Sequence, residues 1–186
     1  MKIIAASATG AAVSAQEVLA SGGLVVIPTD TVYGLAALLD RPASIARIFE
    51  LKRRPTSKPL AVLVADLAQA CTLGFFNDEA RKLAEEGWPG PLTIVLNSAR
   101  HLGQLGGDGE TVGVRVPGHP WCLSLLELMG PLAVTSANRT EHQTPTSVEG
   151  IVELFGDAVD LYIDGGEIST AASQVVSVAG EFKRLR

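Results

Sequence analysis

Four cationic side chains lie close together in the segment LKRRPTSKPLAVLV, residues 51–64. They are Lys52, Arg53, Arg54 and Lys58, and apolar stretches flank them on both sides. An Arg guanidinium can form two parallel hydrogen bonds with a phosphate or carboxylate, and a Lys ammonium supplies a movable point charge. Because the whole chain has a formal net charge of -5, these cations indicate a local anion site rather than a generally basic surface.

Polar residues also follow directly after apolar runs at four other places. Ligands of α/β proteins gather where strands end and loops begin, so these residues can converge on one pocket although they are far apart in sequence. With the cationic segment they form a lining that is rich in donors and poor in acids, which favours a polyanion such as a nucleoside triphosphate. The four segments are IPTDTVYGL (27–35), VGVRVPGHP (112–120), AVTSAN (133–138) and SQVV (173–176).

Several common catalytic signatures are absent from the sequence. There is no GxxxxGK[ST] phosphate-binding loop, no GxGxxG between a strand and a helix, no GxSxG and no evident cysteine–histidine pairing. His101, His119 and His142 lack an HExxH or CxxC companion, so no dedicated zinc site is expected. The chemistry is therefore expected to depend on positioning and charge rather than on an enzyme nucleophile.

Each of these segments also has a purely structural interpretation. The cations of residues 52–58 can complement the negative end of a helix dipole, PTDTVYG can be a turn with Tyr33 packed on the core, and TSAN can begin a helix. Arg115 can point out of its strand without needing a partner. The Gly-rich stretch 102–113 is interpreted as a mobile loop over a cavity mouth. The residues alone leave these alternatives open.

Helix and strand patterns alternate along the chain without an internal repeat or an obvious linker. Helices are predicted for residues 14–23, 41–54, 77–91 (ending in a Gly/Pro turn), 120–130 and 147–156. Strands are predicted for residues 22–30, 59–66, 91–97, 110–120, 131–138, 159–166 and 173–178. Because antiparallel hairpin signals and helical crossovers both occur, the pattern predicts a single α/β domain over residues 1–186 with a twisted, mixed sheet.

The composition favours a globular protein in a reducing compartment. Of 186 residues, 47% are hydrophobic and 19% charged, which is enough apolar surface for a folded core. Cys71 and Cys122 form neither a CxxC pair nor a disulfide framework. No run approaches the about eighteen apolar residues of a membrane span, and no signal-peptide layout opens the chain. A cytoplasmic protein without membrane contact is therefore expected.

Five motifs, in this order and at these distances, closely resemble the YrdC/TsaC family of L-threonylcarbamoyladenylate synthases. They are PTDTVYGL, LKRRPTSKPLAVLV, WPGPLTIVL, VGVRVPGHP and PLAVTSAN, and the likeness spans about residues 10–186. The resemblance implies a YrdC-like fold, in which a twisted open mixed sheet is flanked by helices around a large basic cavity. It also implies the short form of the family, without an extra C-terminal domain.

The same resemblance implies an activity. Members of this family combine ATP, L-threonine and bicarbonate into L-threonylcarbamoyl-AMP and pyrophosphate, the first step toward threonylcarbamoyladenosine in tRNA. Mg²⁺ is expected to accompany ATP, with few dedicated protein ligands. A contact with tRNA and partner proteins that transfer the threonylcarbamoyl group to it are implied as well.

The resemblance implies two groups of contacts. Lys52 and Arg54 are the implied catalytic pair, because they would offset the charge that builds on the leaving pyrophosphate. The implied ATP contacts are Lys52, Arg54, Lys58, Thr111, Ser136, Asn138 and Arg184. The implied threonine contacts are Thr31, Arg115, Thr135 and Ser173, with Arg115 taking the carboxylate.

Some positions depart from the family's pattern. Thr140 and Glu141 stand where Ser and Gly are common, so an acidic side chain can approach the phosphates. Leu63 stands where many relatives have His. Gln174 and Ser177 replace the usual residues around the last motif, SQVVS.

Two other functions remain compatible with these residues. An RNA-binding module would use the same basic cavity, and its affinity would fall steeply with salt. The acidic chain with few aromatic residues disfavours this alternative. A family paralogue could handle carbamoyl-adenylate without threonine, although retention of the Lys52/Arg54 and Ser136/Asn138 pairs favours the synthase.

Overall fold

Ten strands and six α-helices alternate along residues 2–186, the part of the chain that this computed structural model describes. The strands are β1 (Ile3–Ala5), β2 (Val25–Ile27), β3 (Gly34–Leu38), β4 (Ala61–Leu63), β5 (Leu92–Asn97), β6 (Thr111–Arg115), β7 (Leu132–Ser136), β8 (Leu161–Asp164), β9 (Gln174–Ser177) and β10 (Lys183–Arg184). The helices are α1 (Ala11–Ala20), α2 (Pro42–Lys52), α3 (Leu67–Cys71), α4 (Asp78–Gly87), α5 (Pro120–Met129) and α6 (Val148–Phe155).

All ten strands belong to one open sheet with the order β1-β8-β2-β3-β7-β4-β6-β5-β9-β10. Four neighbouring pairs are parallel: β1/β8, β2/β8, β4/β6 and β5/β9. The other five, β2/β3, β3/β7, β4/β7, β5/β6 and β9/β10, are antiparallel. The predicted fold class, an open mixed sheet with flanking helices, is confirmed.

Side chains alternate across the sheet and divide the core into two clusters. On β6, Val112 and Val114 belong to the larger cluster, which also contains buried residues of α2, α3, α4 and α6. The smaller cluster lies on the opposite face and contains buried residues of α1 and α5, such as Leu19 and Leu125. Since successive strand residues point to opposite faces, Gly113 and Arg115 face the side of α1 and α5.

Helices α1 and α5 cover only part of their face of the sheet. Leu63 of β4 and Val134 of β7 pack in the smaller cluster and also border an open cavity. The central strands therefore have a helix-covered region and, beside it, an uncovered region that can receive a ligand.

The ends of α2 explain where the cationic segment begins. Ile45 and Ile48 are fully buried in the larger cluster, and Pro42 lies in the first turn, where its missing N–H is not needed. The helix stops at Lys52 because Arg53 adopts a left-handed conformation with φ 51°. The predicted helix of residues 41–54 is thus present but slightly shorter.

Two of the structural alternatives are now decided. TSAN does not begin a helix, because β7 ends at Ser136 and the next helix, α6, has Ser147 as its N-cap. Tyr33 does pack in the core, where it is fully buried, and its hydroxyl donates to the Gly166 carbonyl at 2.6 Å.

The first half of the Gly-rich stretch is anchored to the rest of the protein. Leu102 and Leu105 are buried in the larger core cluster. The Gly107 N–H donates to the Thr56 carbonyl at 2.7 Å, which ties this stretch to the cationic segment.

No helix within residues 2–186 has the length and apolar character needed to cross a membrane.

Candidate functional site

A cavity of about 750 Å³ lies on the uncovered region of the sheet. Its floor consists of side chains that alternate with the core residues of β4, β5, β6, β7 and β9, such as Thr93, Val95 and Gly113. Ile94 and Val114, their neighbours in sequence, point into the core on the other side. The period of two in the strands therefore separates the floor of the cavity from the core.

The cavity lining combines cations and hydroxyl groups. Among the described residues, no Asp or Glu side chain lines it. The lining cations are Arg54, Lys58, Arg115 and Arg186, and the lining hydroxyls are those of Thr29, Thr31, Ser57, Thr93, Thr111, Thr135, Ser136 and Ser173. Such groups donate hydrogen bonds to anionic oxygens, as a polyanion requires.

Arg115 is buried at the end of β6 and points inward. Its Nε donates to the Gly90 carbonyl at 2.9 Å, one terminal nitrogen donates to the Thr31 hydroxyl at 2.9 Å, and the other contacts the Asp30 carboxylate at 2.6 Å. Burial lowers the pKa of Arg115, whereas the adjacent Asp30 carboxylate raises it. A guanidinium has five N–H groups, so one on each terminal nitrogen remains for a ligand.

Thr31 is held by the turn that follows β2. The Thr29 hydroxyl donates to the Val32 carbonyl at 2.6 Å and lies 3.1 Å from the Thr31 hydroxyl. Since the Thr29 proton is engaged by Val32, the Thr31 hydroxyl donates to Thr29 and accepts from Arg115. The predicted turn is present, and it presents a hydroxyl of defined polarity to the cavity.

Ser173 and Arg186 meet at the cavity floor. The Ser173 and Thr93 hydroxyls are 3.1 Å apart. The Arg186 guanidinium donates to the Ser173 carbonyl at 2.9 Å and to its hydroxyl at 3.3 Å. The backbone of Arg186 is paired with Val175 of β9, which brings this side chain to the cavity.

Arg54 organises the turn that carries Lys58. Its Nε donates to the Lys58 carbonyl at 2.7 Å, and a terminal nitrogen donates to the Pro59 carbonyl at 2.9 Å. Burial lowers the pKa of Arg54, and the positive charge of Arg186 lowers it further. The two guanidinium groups therefore repel each other, and an anion between them would relieve this repulsion.

Lys52 lies behind the cavity lining rather than within it. It is 1% exposed, and its amine donates to the Ser136 and Asn138 carbonyls and to Asn138 Oδ1. Burial lowers the pKa of Lys52 to about 7, and the charge of Arg54 acts in the same direction. The three oxygen acceptors favour the protonated amine and oppose this shift.

Asn138 connects Lys52 to the residues after β7. Its Oδ1 accepts from the Ser136 hydroxyl at 2.6 Å, and its side-chain amide donates to the His142 carbonyl. The Thr140 N–H donates to the Lys52 carbonyl at 3.1 Å. In the sequence TSANRTEH, Thr135 and Ser136 end β7 and line the cavity, and the residues after them form a turn that Lys52 fixes at its base.

The structure brings together most of the residues predicted to form the site. Those that line the cavity are Thr31, Arg54, Lys58, Thr111, Arg115, Thr135, Ser136 and Ser173. Lys52 and Asn138 lie behind the lining, as described above. Arg184 is exposed on β10, outside the cavity lining, and contacts Gln174 at 3.4 Å.

Arg186 was not among the predicted site residues, although it lines the cavity. The basic sequence KRLR was the available signal, and it contains both Arg184 and Arg186. The choice between them depends on how residues 185 and 186 pair with Val175, which the sequence does not reveal. Thr29, Ser57 and Thr93 also line the cavity and were not predicted. Thr93 of β5 is visible in the sequence only as one polar position in an apolar run.

Two of the departing positions also have defined places. Leu63 lines the cavity, and Glu141 lies outside the lining with its carboxylate 3.4 Å from the Lys58 amine. Within residues 2–186, no group of three or more His, Cys, Asp or Glu side chains could hold a metal ion.

Sequence comparison identifies known proteins that this chain resembles. The family model Sua5/YciO/YrdC, described as "Telomere recombination", matches residues 17–186. A threonylcarbamoyl-AMP synthase of Pyrococcus abyssi is 39% identical over 158 residues, which cover 83% of this chain and 46% of that protein. The chain thus spans about half the length of this curated relative.

Solved structures share the fold. The structure of P. abyssi Sua5 complexed with L-threonine has a TM-score of 0.84 and 38% identity, and the match covers 90% of this chain and 50% of that one. The structure of Escherichia coli YciO has a TM-score of 0.90 and 25% identity, and the match covers 100% of this chain and 92% of that one.

Proposed function

The chain belongs to the Sua5/YciO/YrdC family, and from this premise we propose that it is a threonylcarbamoyl-AMP synthase. The proposed reaction joins ATP, L-threonine and bicarbonate into L-threonylcarbamoyl-AMP and pyrophosphate. One observation carries the proposal: the inward Arg115 and the cations Arg54, Lys58 and Arg186 border a single cavity. A carboxylate and a polyphosphate can therefore bind side by side.

The threonine subsite is assigned to the Arg115 end of the cavity. The two remaining terminal N–H groups of Arg115 can donate one hydrogen bond to each carboxylate oxygen of an amino acid. Thr31, Thr135 and Ser173 border the same space and can hydrogen-bond the rest of the molecule. An analogue without the side-chain hydroxyl would leave buried polar groups unpaired, which is the basis for rejecting it.

The nucleotide subsite is assigned to the remaining cations. Arg54, Lys58 and Arg186 would contact the phosphates, and Thr111 and Ser136 would position the nucleotide. Placing negative charge between Arg54 and Arg186 removes their mutual repulsion, so it is favoured beyond the direct hydrogen bonds. The same cations would offset the charge on the leaving pyrophosphate.

Lys52 and Asn138 are assigned a positioning role. The Lys52 amine donates hydrogen bonds to the Ser136 and Asn138 carbonyls, at and just after the end of β7. The side-chain oxygen of Asn138 accepts a hydrogen bond from the Ser136 hydroxyl. Both residues would thereby set the position of Ser136 without lining the cavity.

The proposed reaction needs no enzyme nucleophile. The amine of threonine attacks the carbon of bicarbonate, and water is lost to give a carbamate. A carbamate oxygen then attacks the α-phosphorus of ATP, and the bond to pyrophosphate breaks. The protein contributes by holding the reactants in line and by neutralising charge.

Mg²⁺ would enter with ATP rather than reside in the protein. Asp30 contacts Arg115, and no Asp or Glu side chain borders the cavity among the described residues. Phosphate oxygens and water would therefore supply the metal ligands, which suits the preference of Mg²⁺ for a partly hydrated state. The metal would add positive charge at the phosphates.

The product is a reactive mixed anhydride and must be consumed by an acyl-transfer reaction. We assign that transfer to partner proteins acting on tRNA, with a cytoplasmic location for the pathway. Contact of this chain with tRNA belongs to the same proposal.

A pyrophosphate-release assay tests the function. The protein is incubated with ATP, Mg²⁺ and bicarbonate, with and without L-threonine, and threonine-dependent release is expected. Release with carbamoyl phosphate but without threonine would instead indicate a carbamoyl-adenylate enzyme. No turnover, combined with tight and salt-sensitive RNA binding, would indicate an RNA-binding module.

A further inference from the structure

An ion pair joins the two turns beside the cavity. The Lys58 amine lies 3.4 Å from the Glu141 carboxylate, and the two side chains are 52% and 81% exposed. Lys58 lines the cavity, whereas Glu141 approaches it from outside. The pair therefore lies where an incoming anion would meet Lys58.

Both turns are anchored at their bases, so the backbone positions of Lys58 and Glu141 are close to each other. Arg54 donates to the Lys58 and Pro59 carbonyls, which shapes the first turn. The Thr140 N–H donates to the Lys52 carbonyl, which anchors the second turn immediately before Glu141. The backbone that carries the Glu141 carboxylate is consequently held beside the cavity.

The backbone does not explain a glutamate at this position. Glu141 has a φ of 70°, in the left-handed region that glycine adopts without strain and other residues adopt at a cost. Apart from the contact with Lys58, its carboxylate forms no hydrogen bond or ion pair within residues 2–186. The contact with Lys58 is therefore the feature that a glutamate contributes here.

We propose that Glu141 selects the charge state of the nucleotide that enters the cavity. This inference rests on the proposed nucleotide site. In the free protein the Glu141 carboxylate pairs with the Lys58 amine, and phosphate oxygens must displace this carboxylate to contact the amine. The exposed pair is weak enough to be exchanged in this way.

Charge selection follows from the repulsion that remains after displacement. The freed carboxylate stays close to the bound phosphates and repels them in proportion to their negative charge. A metal-free triphosphate carries more negative charge than its Mg²⁺ complex. Glu141 therefore disfavours the metal-free nucleotide, from which no productive reaction is expected, more than it disfavours the Mg²⁺-bound form.

Equilibrium titration with ATP, in the presence of either Mg²⁺ or a chelator, tests the inference. Glu141→Gln removes the charge and keeps the size, and it is expected to tighten metal-free ATP about threefold or more at low salt, with a smaller change for the Mg²⁺ complex. Glu153→Gln is the matched control, because it removes the same charge from an exposed position on α6, which packs on the opposite face of the sheet. No change in either affinity is expected for the control.

The outcomes separate this inference from the proposed function. Threonine-dependent pyrophosphate release by the unaltered protein, together with equal changes for both forms of ATP in Glu141→Gln, would reject charge selection and leave the synthase assignment intact. Absence of ATP binding to the unaltered protein in both conditions would reject the two together. A larger gain for metal-free ATP that disappears at high salt is the supporting result.

Discussion

Asp30 is the only carboxylate recorded in contact with the buried Arg115 among the described residues. The pair lies at 2.6 Å, and the two side chains are 6% and 18% exposed for Arg115 and Asp30. Since Asp30 fixes one terminal nitrogen, it determines which N–H groups Arg115 can offer to a carboxylate. Asp30 is therefore a positioning residue for the proposed threonine subsite.

Replacing Asp30 should affect both stability and threonine recognition. Asp30→Asn keeps an acceptor for Arg115 but removes the opposing charge, so the free energy of unfolding is expected to fall by about 2 kcal/mol. The KM for threonine should rise more than kcat falls, because Arg115 loses its fixed orientation. Denaturant unfolding and steady-state kinetics measure the two effects.

Asp40→Asn provides the control for this prediction. Asp40 is exposed in a turn, so its replacement should leave both quantities near their original values. A stability loss in Asp30→Asn with an unaltered KM would show that the pair supports the fold alone.

Arg186 and Arg184 form a natural comparison at the residue level. Each contributes one positive charge at the end of the chain, but only Arg186 lines the cavity. Arg186→Ala is expected to weaken ATP binding about tenfold, since a charge-assisted contact to phosphate is lost. Arg184→Ala should have a clearly smaller effect. ATP titration of both variants decides the matter, and a larger loss for Arg184→Ala would favour the contact that the family resemblance implies.

At the scale of elements, the junction of α2 with the end of β7 controls one wall of the site. The amine of Lys52 joins these elements through oxygens of Ser136 and Asn138. The pKa of about 7 in the folded protein lies below the ordinary value of 10.5. Between these two pH values the unfolded chain binds more protons at this residue than the folded protein does.

This difference predicts how stability depends on pH. The contribution of Lys52 to the free energy of unfolding rises with pH from about 7 toward 10.5, with a slope of up to about 1.4 kcal/mol per pH unit, and is lost as pH falls to 7. Lys52→Met should lack this component and be less stable, because three oxygens lose their donor. Denaturant unfolding of both proteins from pH 7 to 9 measures the difference in slope. Equal slopes would show that the three acceptors keep the amine protonated.

The strands illustrate which elements local patterns can identify. Every predicted strand contains an observed one, because runs such as LTIVLN combine apolar and β-branched residues. The predicted helices also appear, with ends shifted by a few residues. Strands β1, β3 and β10 and the short helix α3 were not predicted.

The missed elements have physical causes. β1 has three residues and β10 has two, so neither shows a period, and each is defined by pairing with β8 or β9. β3 has the sequence GLAAL, whose alanines and glycine are poor strand formers. It forms because five of its residues pair with β7, which is distant in sequence. Tertiary pairing thus overrides local preference.

At the scale of the whole molecule, the cavity joins strands and turns from most of the chain. A ligand there would stabilise the folded protein by mass action, by about 2.7 kcal/mol at a concentration of 100 Kd. For a protein of this size, this corresponds to a rise in Tm of about 5–10 °C. MgATP and L-threonine should each raise Tm, as measured by thermal denaturation.

A variant can separate the two ligands. Arg115→Ala should abolish the shift caused by threonine while retaining most of the shift caused by MgATP. Loss of both shifts in a folded variant would indicate one shared subsite rather than two adjacent ones.

The amino-acid sequence by itself determined the class of fold and the types of residue at the site. Apolar periodicity is local, and cations or hydroxyls at strand ends are visible without coordinates, so the segments that carry Thr31, Arg54 and Arg115 could be identified in advance. The choice of these residues within the segments came from the resemblance to the family. Only the tertiary structure decided which groups share the cavity, because strand order and the paths of side chains depend on long-range pairing. In the folded protein Arg186 lines the cavity and Arg184 does not. Lys52 lies behind the lining, where its amine donates to the Ser136 carbonyl at the end of β7. These placements follow from packing between segments that are far apart in the chain, and no local pattern contains that information.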